Sequence, residues 1–163
     1  VASGNTLGIL LPLAAEAPAT NYATLNVRNQ HPMLEFDSAT QETAIWTSVM
    51  PQHYAGGNIT VITKWAAVPT TGNVGWGATF ERVADAGQDI DADGFATEQI
   101  VTAATVDGTS GNTKTTSVTC TAGSTGTDSV AAGDLFRLRI RRDVATDTAA
   151  GDAQLLAVEL REA

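Results

Sequence analysis

The chain is short of the residues that most often carry chemistry: it has one cysteine and two histidines, and its lysines are confined to Lys64 and Lys114. A lone thiol, Cys120, closes no disulfide within the chain and finds no second thiol for a Cys-x-x-Cys redox or zinc site, so it reads as a small core hydrophobe. Nucleophilic catalysis needs Ser or Cys beside a histidine base. His31 precedes Pro32, and His53 lies in Met50-Pro51-Gln52-His53-Tyr54. Neither belongs to a Gly-x-Ser-x-Gly elbow or a His-x-x-x-His metal pair. No spacing singles out an acidic pair for glycosidase work, so the sequence predicts no enzyme.

Basic charge is scarce as well. Nine Lys plus Arg face eighteen Asp plus Glu, a net charge of -9, which argues against nucleic acid or an anionic membrane as partner. Long apolar runs are missing: nothing approaches the roughly 18 to 20 residues of a membrane span. The longest apolar segment, Leu7 to Ala15, is broken by Gly8 and Pro12 and lacks the basic flank of a signal peptide. At 163 residues, one domain is expected.

What is abundant is Thr and Ala, with Gly and Asx clusters set between Thr- and Val-rich runs, and that pattern predicts an all-β protein. Residues 1–20 hold no period of 3.6 or 2 and read as an extended N-terminal arm, with a single sandwich domain over 21–163. Strands are expected at Tyr22 to Arg28, Met33 to Asp37, Thr43 to Val49, Asn58 to Val68, Val74 to Val83, Thr97 to Val106, Thr113 to Thr121, Leu135 to Arg142 and Ala153 to Arg161. Short, evenly spaced strands of this kind make a sandwich or barrel. Alternation places Ile59, Val61, Thr63, Trp65 and Ala67 on one core face, and Phe136, Leu138 and Ile140 on another. It also puts Leu155 outward if Leu156, Val158 and Leu160 point in.

Three features are candidates for function. Asp89, Asp91 and Asp93, followed by Gly94, match the start of an EF-hand calcium loop, although position twelve is Ile100 where a Glu belongs. The alternative is a solvated loop whose carboxylates bond their own turn. Arg137, Arg139 and Arg141 alternate with the apolar series, and Arg142 follows. This row repels itself unless carboxylates of a neighbouring strand, or of another subunit at an interface, neutralise it. Trp65 and Trp76 belong to inward series, which leaves Trp46 and Tyr54 as the candidates for stacking on a sugar.

Several strand and turn residues together resemble the small β-jelly-roll structural proteins of tailed bacteriophages. The matching segments are Met50-Pro51 with Tyr54 and Gly56-Gly57, Ile59-x-Val61 leading to Trp65-x-Ala67, and Val74-x-Trp76. Nearer the C-terminus they are Ala132-Gly133-Asp134-Leu135, Arg139 with Arg142-Asp143, Asp147-Thr148, and Gly151-Asp152. The resemblance spans Asn21 to Glu162. It implies a two-sheet jelly-roll-like sandwich in a virion: a capsid decoration or fibre subunit, self-assembling as a trimer or larger homo-oligomer and docking on a major capsid or other virion protein. It implies no catalytic residues; the Asp89 to Gly94 loop departs from the family pattern, as ordinary variation or as a structural calcium site, the one cofactor expected. The alternative from another class is a carbohydrate- or receptor-binding module of a phage fibre.

Overall fold

Burial alternates residue by residue in the two segments 114–120 and 135–142, while 74–81 is buried without a break. The computed structural model describes residues 4–163, and the strands are β1 (Thr6–Leu10), β2 (Thr24–Arg28), β3 (His31–Phe36), β4 (Thr43–Val49), β5 (Ile59–Ala67), β6 (Asn73–Val83), β7 (Gln99–Thr105), β8 (Lys114–Cys120), β9 (Leu135–Arg142) and β10 (Ala153–Glu162). The one helical segment among the described residues is a 3-10 turn at Pro12–Ala14. The strands form two antiparallel sheets. The larger runs β2-β3-β10-β5-β8 with β1 also on β10, and the smaller runs β4-β9-β6-β7. The architecture is an all-β, jelly-roll-like sandwich.

The core lies between the sheets, where the alternating series meet. Ile59, Val61, Thr63, Trp65 and Ala67 are all buried, as are Phe136, Leu138 and Ile140 opposite them. Three aromatic rings tie the layers together. Phe36 and Trp65 of the larger sheet meet Trp76 of the smaller at centroid distances of 5.1 and 6.1 Å, both edge to face. Such pairs contribute about 0.5–1.5 kcal/mol each beyond area burial. Cys120 is buried with them, and burial pushes its thiol up to about 12, so it stays an inert hydrophobe.

Two expectations about chain path change. Residues 1–3 lie outside the described residues, but the rest of the expected arm is largely part of the sandwich. β1 pairs with the second half of β10, from Val158 to Arg161, and places Leu7 and Leu10 in the core. Gly8 and Pro12 hid this strand by interrupting its period. Leu155 is buried and lies opposite Trp65, and the register then shifts before Ala157 pairs with Lys64. That β-bulge reverses parity at Leu156, which turns to the outer face.

Candidate functional site

The outward face of the larger sheet carries a groove of about 320 Å³. Its near wall is made by the hairpin of β2 and β3, whose two-residue turn, Asn29-Gln30, has φ values of 46° and 66°. Positive φ at both central positions is the type I′ geometry that matches strand twist, and it throws Asn29 and His31 to the rim. His31 Nδ1 lies 2.8 Å from the Asn29 carbonyl oxygen, which fixes the imidazole beside the turn. The floor is apolar, from Met33, Ala66 and Leu156. Leu156 reaches it because of the bulge.

The far wall is the 107–113 loop. The Asp107 carboxylate accepts the Thr109 N–H and the Asn112 side-chain amide, both at 2.9 Å, and these bonds hold it below the usual carboxylate range. Gly111, at φ 88°, sends its N–H to the Ala67 carbonyl and lies flat against Arg28. A Cβ there would stand 2.7 Å from the Arg28 guanidinium. Arg28 spans the groove: Nη1 donates to Gln154 Oε1 at 2.8 Å and Nη2 to Ser110 Oγ at 3.1 Å. Gln154 in turn donates to Glu35 at 2.8 Å. Among the described residues Arg28 forms no ion pair; its partners are an amide and a hydroxyl. A guanidinium, amides and a hydroxyl around an apolar floor can bond a ligand's hydroxyl groups while packing against its C–H face.

None of the candidates read from the sequence lies in this groove. Trp46 is buried, with its Nε1 donating to the Leu11 carbonyl at 2.9 Å, and Tyr54 is buried with its hydroxyl on the Gly57 carbonyl. Neither ring offers an open face to a sugar. Trp46 points in because its partner across the ladder is Leu138, a core residue. Arg142 is not at a surface at all. Fully buried, it donates to Asp147 and to the carbonyls of Phe36, Ala149 and Gly151, closing one end of the sandwich.

The other three arginines do share the outward face of the smaller sheet, and carboxylates of the same chain meet two of them. Arg137 pairs with Glu81 at 2.9 Å; Arg141 pairs with Glu98 in a bidentate contact through Nε and Nη2, and with Asp143 through Nη1 at 3.0 Å. Phe95 lies over Arg139 and Arg137, with centroid distances of 4.5 and 5.4 Å. Arg137 and Arg141 are thus neutralised within the chain, whereas among the described residues Arg139 has no carboxylate partner and its buried Nε makes no hydrogen bond. Asp89, Asp91 and Asp93 do not form a cation site either: among the described residues no three His, Cys, Asp or Glu side chains are arranged so that they could hold a metal ion. Asp89 accepts the Asp91 N–H at 3.0 Å, so its carboxylate serves the turn. Beside Thr24 a second cleft gathers Glu35, Asp37, Glu42 and Asp152. Burial pushes Glu42 and Asp152 up, whereas the N–H groups of Thr40 and Ala39 hold Asp37 down.

No protein-family model and no curated protein matches the sequence. Solved structures do resemble the fold. The CBM35 domain of Cellvibrio japonicus Abf62 has a TM-score of 0.52 at 12% identity, over 94% of this chain and 92% of that one. The CBM22-2 xylan-binding domain of Paenibacillus barcinonensis Xyn10C has a TM-score of 0.52 at 10% identity, over 92% of both chains. The CBM22-1 and GH10 modules of Clostridium thermocellum xylanase 10B, complexed with xylohexaose, give 0.52 at 10% identity, over 96% of this chain and 28% of that longer one. At such identities the likeness establishes the two-sheet antiparallel sandwich and stops there.

Proposed function

We propose that the chain is a glycan-binding module with no catalytic role of its own, and that the groove between the β2–β3 turn and the 107–113 loop is its binding site. The observation that carries this reading is Arg28, a guanidinium held across an open groove by an amide and a hydroxyl, with no carboxylate partner. Around it Asn29, His31 and Asn112 line the rim over an apolar floor. Support comes from the neighbours: one is described as a xylan-binding domain, and another is a two-module CBM22-1 and GH10 xylanase fragment complexed with xylohexaose. The volume lies at the small end of the roughly 300–1,000 Å³ of ligand sites, which suits a short stretch of a polysaccharide.

A glycan array followed by calorimetry tests it. The intact chain binds at least one oligosaccharide, and Arg28→Ala weakens that affinity about tenfold or more, the worth of one charge-assisted hydrogen bond. An array without a hit, or affinity indifferent to Arg28→Ala and Asn112→Ala, discards the site.

A second reading, the virion subunit, is favoured by a different observation: Ile9, Leu11 and Leu13 stand more than half exposed along the first strand and the turn after it, an apolar ridge suited to docking on a capsid protein. Electron microscopy of the chain mixed with candidate capsids tests that reading. Decoration supports it, and bare shells at saturating protein remove it.

A further inference from the structure

We propose that the outer edge of β2 is a self-association surface, on which a second copy of this chain adds its own β2 antiparallel about a two-fold axis at Asn26. β2 ends the larger sheet, and among the described residues no strand pairs with its outer side. The I′ turn fixes its hydrogen-bond parity. Arg28 and His31 flank the two-residue turn and form its closing pair, so Thr24, Asn26 and Arg28 bond inward to β3. Leu25 and Val27 therefore direct their backbone groups outward. The Val27 N–H donates to its neighbour Asn26 Oδ1 at 2.7 Å, a stand-in for a ladder partner.

Natural edges are blunted by Lys, Pro or bulges. This one carries Thr24, Leu25, Asn26 and Val27, with Leu25 50% and Val27 61% exposed. A two-fold at Asn26 sets Leu25 of each copy opposite Val27 of the other, in hydrogen-bonded pairs, with both side chains on the same side of the extended sheet. On that side Leu25 lines an apolar pocket of about 260 Å³ with Leu13 and Tyr22, whose rim carries one carboxylate, Glu16. The opposing Val27 comes to rest at its mouth.

Charge also fits the antiparallel arrangement. One end of β2 is basic, with Arg28 and His31; the other, at Thr24, adjoins Glu35, Asp37, Glu42 and Asp152. Antiparallel pairing sets the basic end of each copy against the acidic end of the other. Arg28 is held by Gln154 and Ser110, so the attraction acts through the field, without a direct ion pair. The exposed parts of Leu13, Tyr22, Leu25 and Val27 amount to roughly 300–400 Å² per copy. A stable interface buries about 800 Å² per partner. Even with the strand backbone added, the dimer is a weak one, with Kd on the order of 100 µM.

Sedimentation of the full chain over a range of concentration tests the proposal. The chain dimerises reversibly, Val27→Lys weakens the dimer at least about tenfold by placing two like charges beside the axis, and Val68→Lys, at an exposed aliphatic residue elsewhere, leaves it unchanged. Asn26→Cys gives the register directly. Its two copies fall at a close, non-hydrogen-bonded pair on the axis, so mild oxidation cross-links them, whereas Val68→Cys does not react and buried Cys120 stays silent. A chain that stays monomeric at millimolar concentration, a dimer indifferent to Val27→Lys, or equal cross-linking at both cysteines overturns the proposal.

Discussion

The two outward faces use arginine in opposite ways. On the smaller sheet, Arg137 and Arg141 are met by Glu81, Glu98 and Asp143, and Phe95 covers Arg139 and Arg137. On the larger sheet, Arg28 is met by Gln154 and Ser110 and looks into an open groove. A carboxylate partner consumes a guanidinium's charge and geometry; neutral partners orient it and leave donor capacity for something else. Among the described residues of the smaller sheet's row only Arg139, stacked under Phe95, lacks a carboxylate; on the larger sheet Arg28 faces an open groove with donor capacity to spare.

The sharpest way to press this contrast is to remove the arginines one by one. Arg142→Met is expected to have the largest effect, about 3–5 kcal/mol in denaturant unfolding, because it strands Asp147 and three carbonyls in the interior. Arg142→Lys keeps the charge but loses the planar fork, and should fall between. Arg141→Met comes next, at about 2–3 kcal/mol, since Asp143 is buried and loses its counter-charge. Arg28→Met is expected to cost under about 1 kcal/mol of stability while weakening glycan binding about tenfold or more. Equal losses of stability from Arg28 and Arg141 would erase the distinction between the faces.

A gentler perturbation asks whether the groove depends on the loop that holds Arg28. Gly111→Ala introduces a methyl where the guanidinium lies, at a backbone conformation that glycine tolerates best. It is expected to cost about 1 kcal/mol of stability and to lower glycan affinity by displacing Arg28. Calorimetric titration on a variant shown by circular dichroism to be folded checks this, and unchanged affinity would show that Arg28 need not sit where it does.

Most of the fold was legible because alternation is a local signal. β4 and β9 run over the predicted residues, and the inward series of β5, β6 and β9 are the core. What the sequence hid is non-local. β1 has no regular period and becomes a strand only because β10 offers it an edge. Leu155 and Leu156 exchange faces at a bulge that no residue type announces. Strand parity put the arginines outward, but Glu98 and Phe95, which neutralise and cover them, arrive from the connection before β7. The groove residues Arg28, Ser110, Asn112 and Gln154 come from three distant segments, so no spacing could join them. Asn29-Gln30, a short polar pair between two strands, was the one visible hint of the turn that forms its wall.

The smallest expected effect distinguishes neighbouring carboxylates in the acidic cleft by their pH dependence. Asp152 is pushed up, first by burial and then by the charges of Glu35 and Asp37, so its folded pKa exceeds its unfolded one. Its contribution to stability is present below the ordinary carboxylate value and lost as pH rises through the raised one. Asp152→Asn mimics the protonated form, and is expected to raise the melting temperature by roughly 1–2 °C at pH 7 while leaving it unchanged near pH 3. Asp37 has the opposite sign: the N–H groups of Thr40 and Ala39 lower its pKa, so its contribution is present above the ordinary value and lost as pH falls. Asp37→Asn should therefore lower the melting temperature at pH 7. Thermal melts at both pH values separate the two, and the same sign for both variants would mean that the cleft responds to its net charge alone and not to the bonds each carboxylate makes.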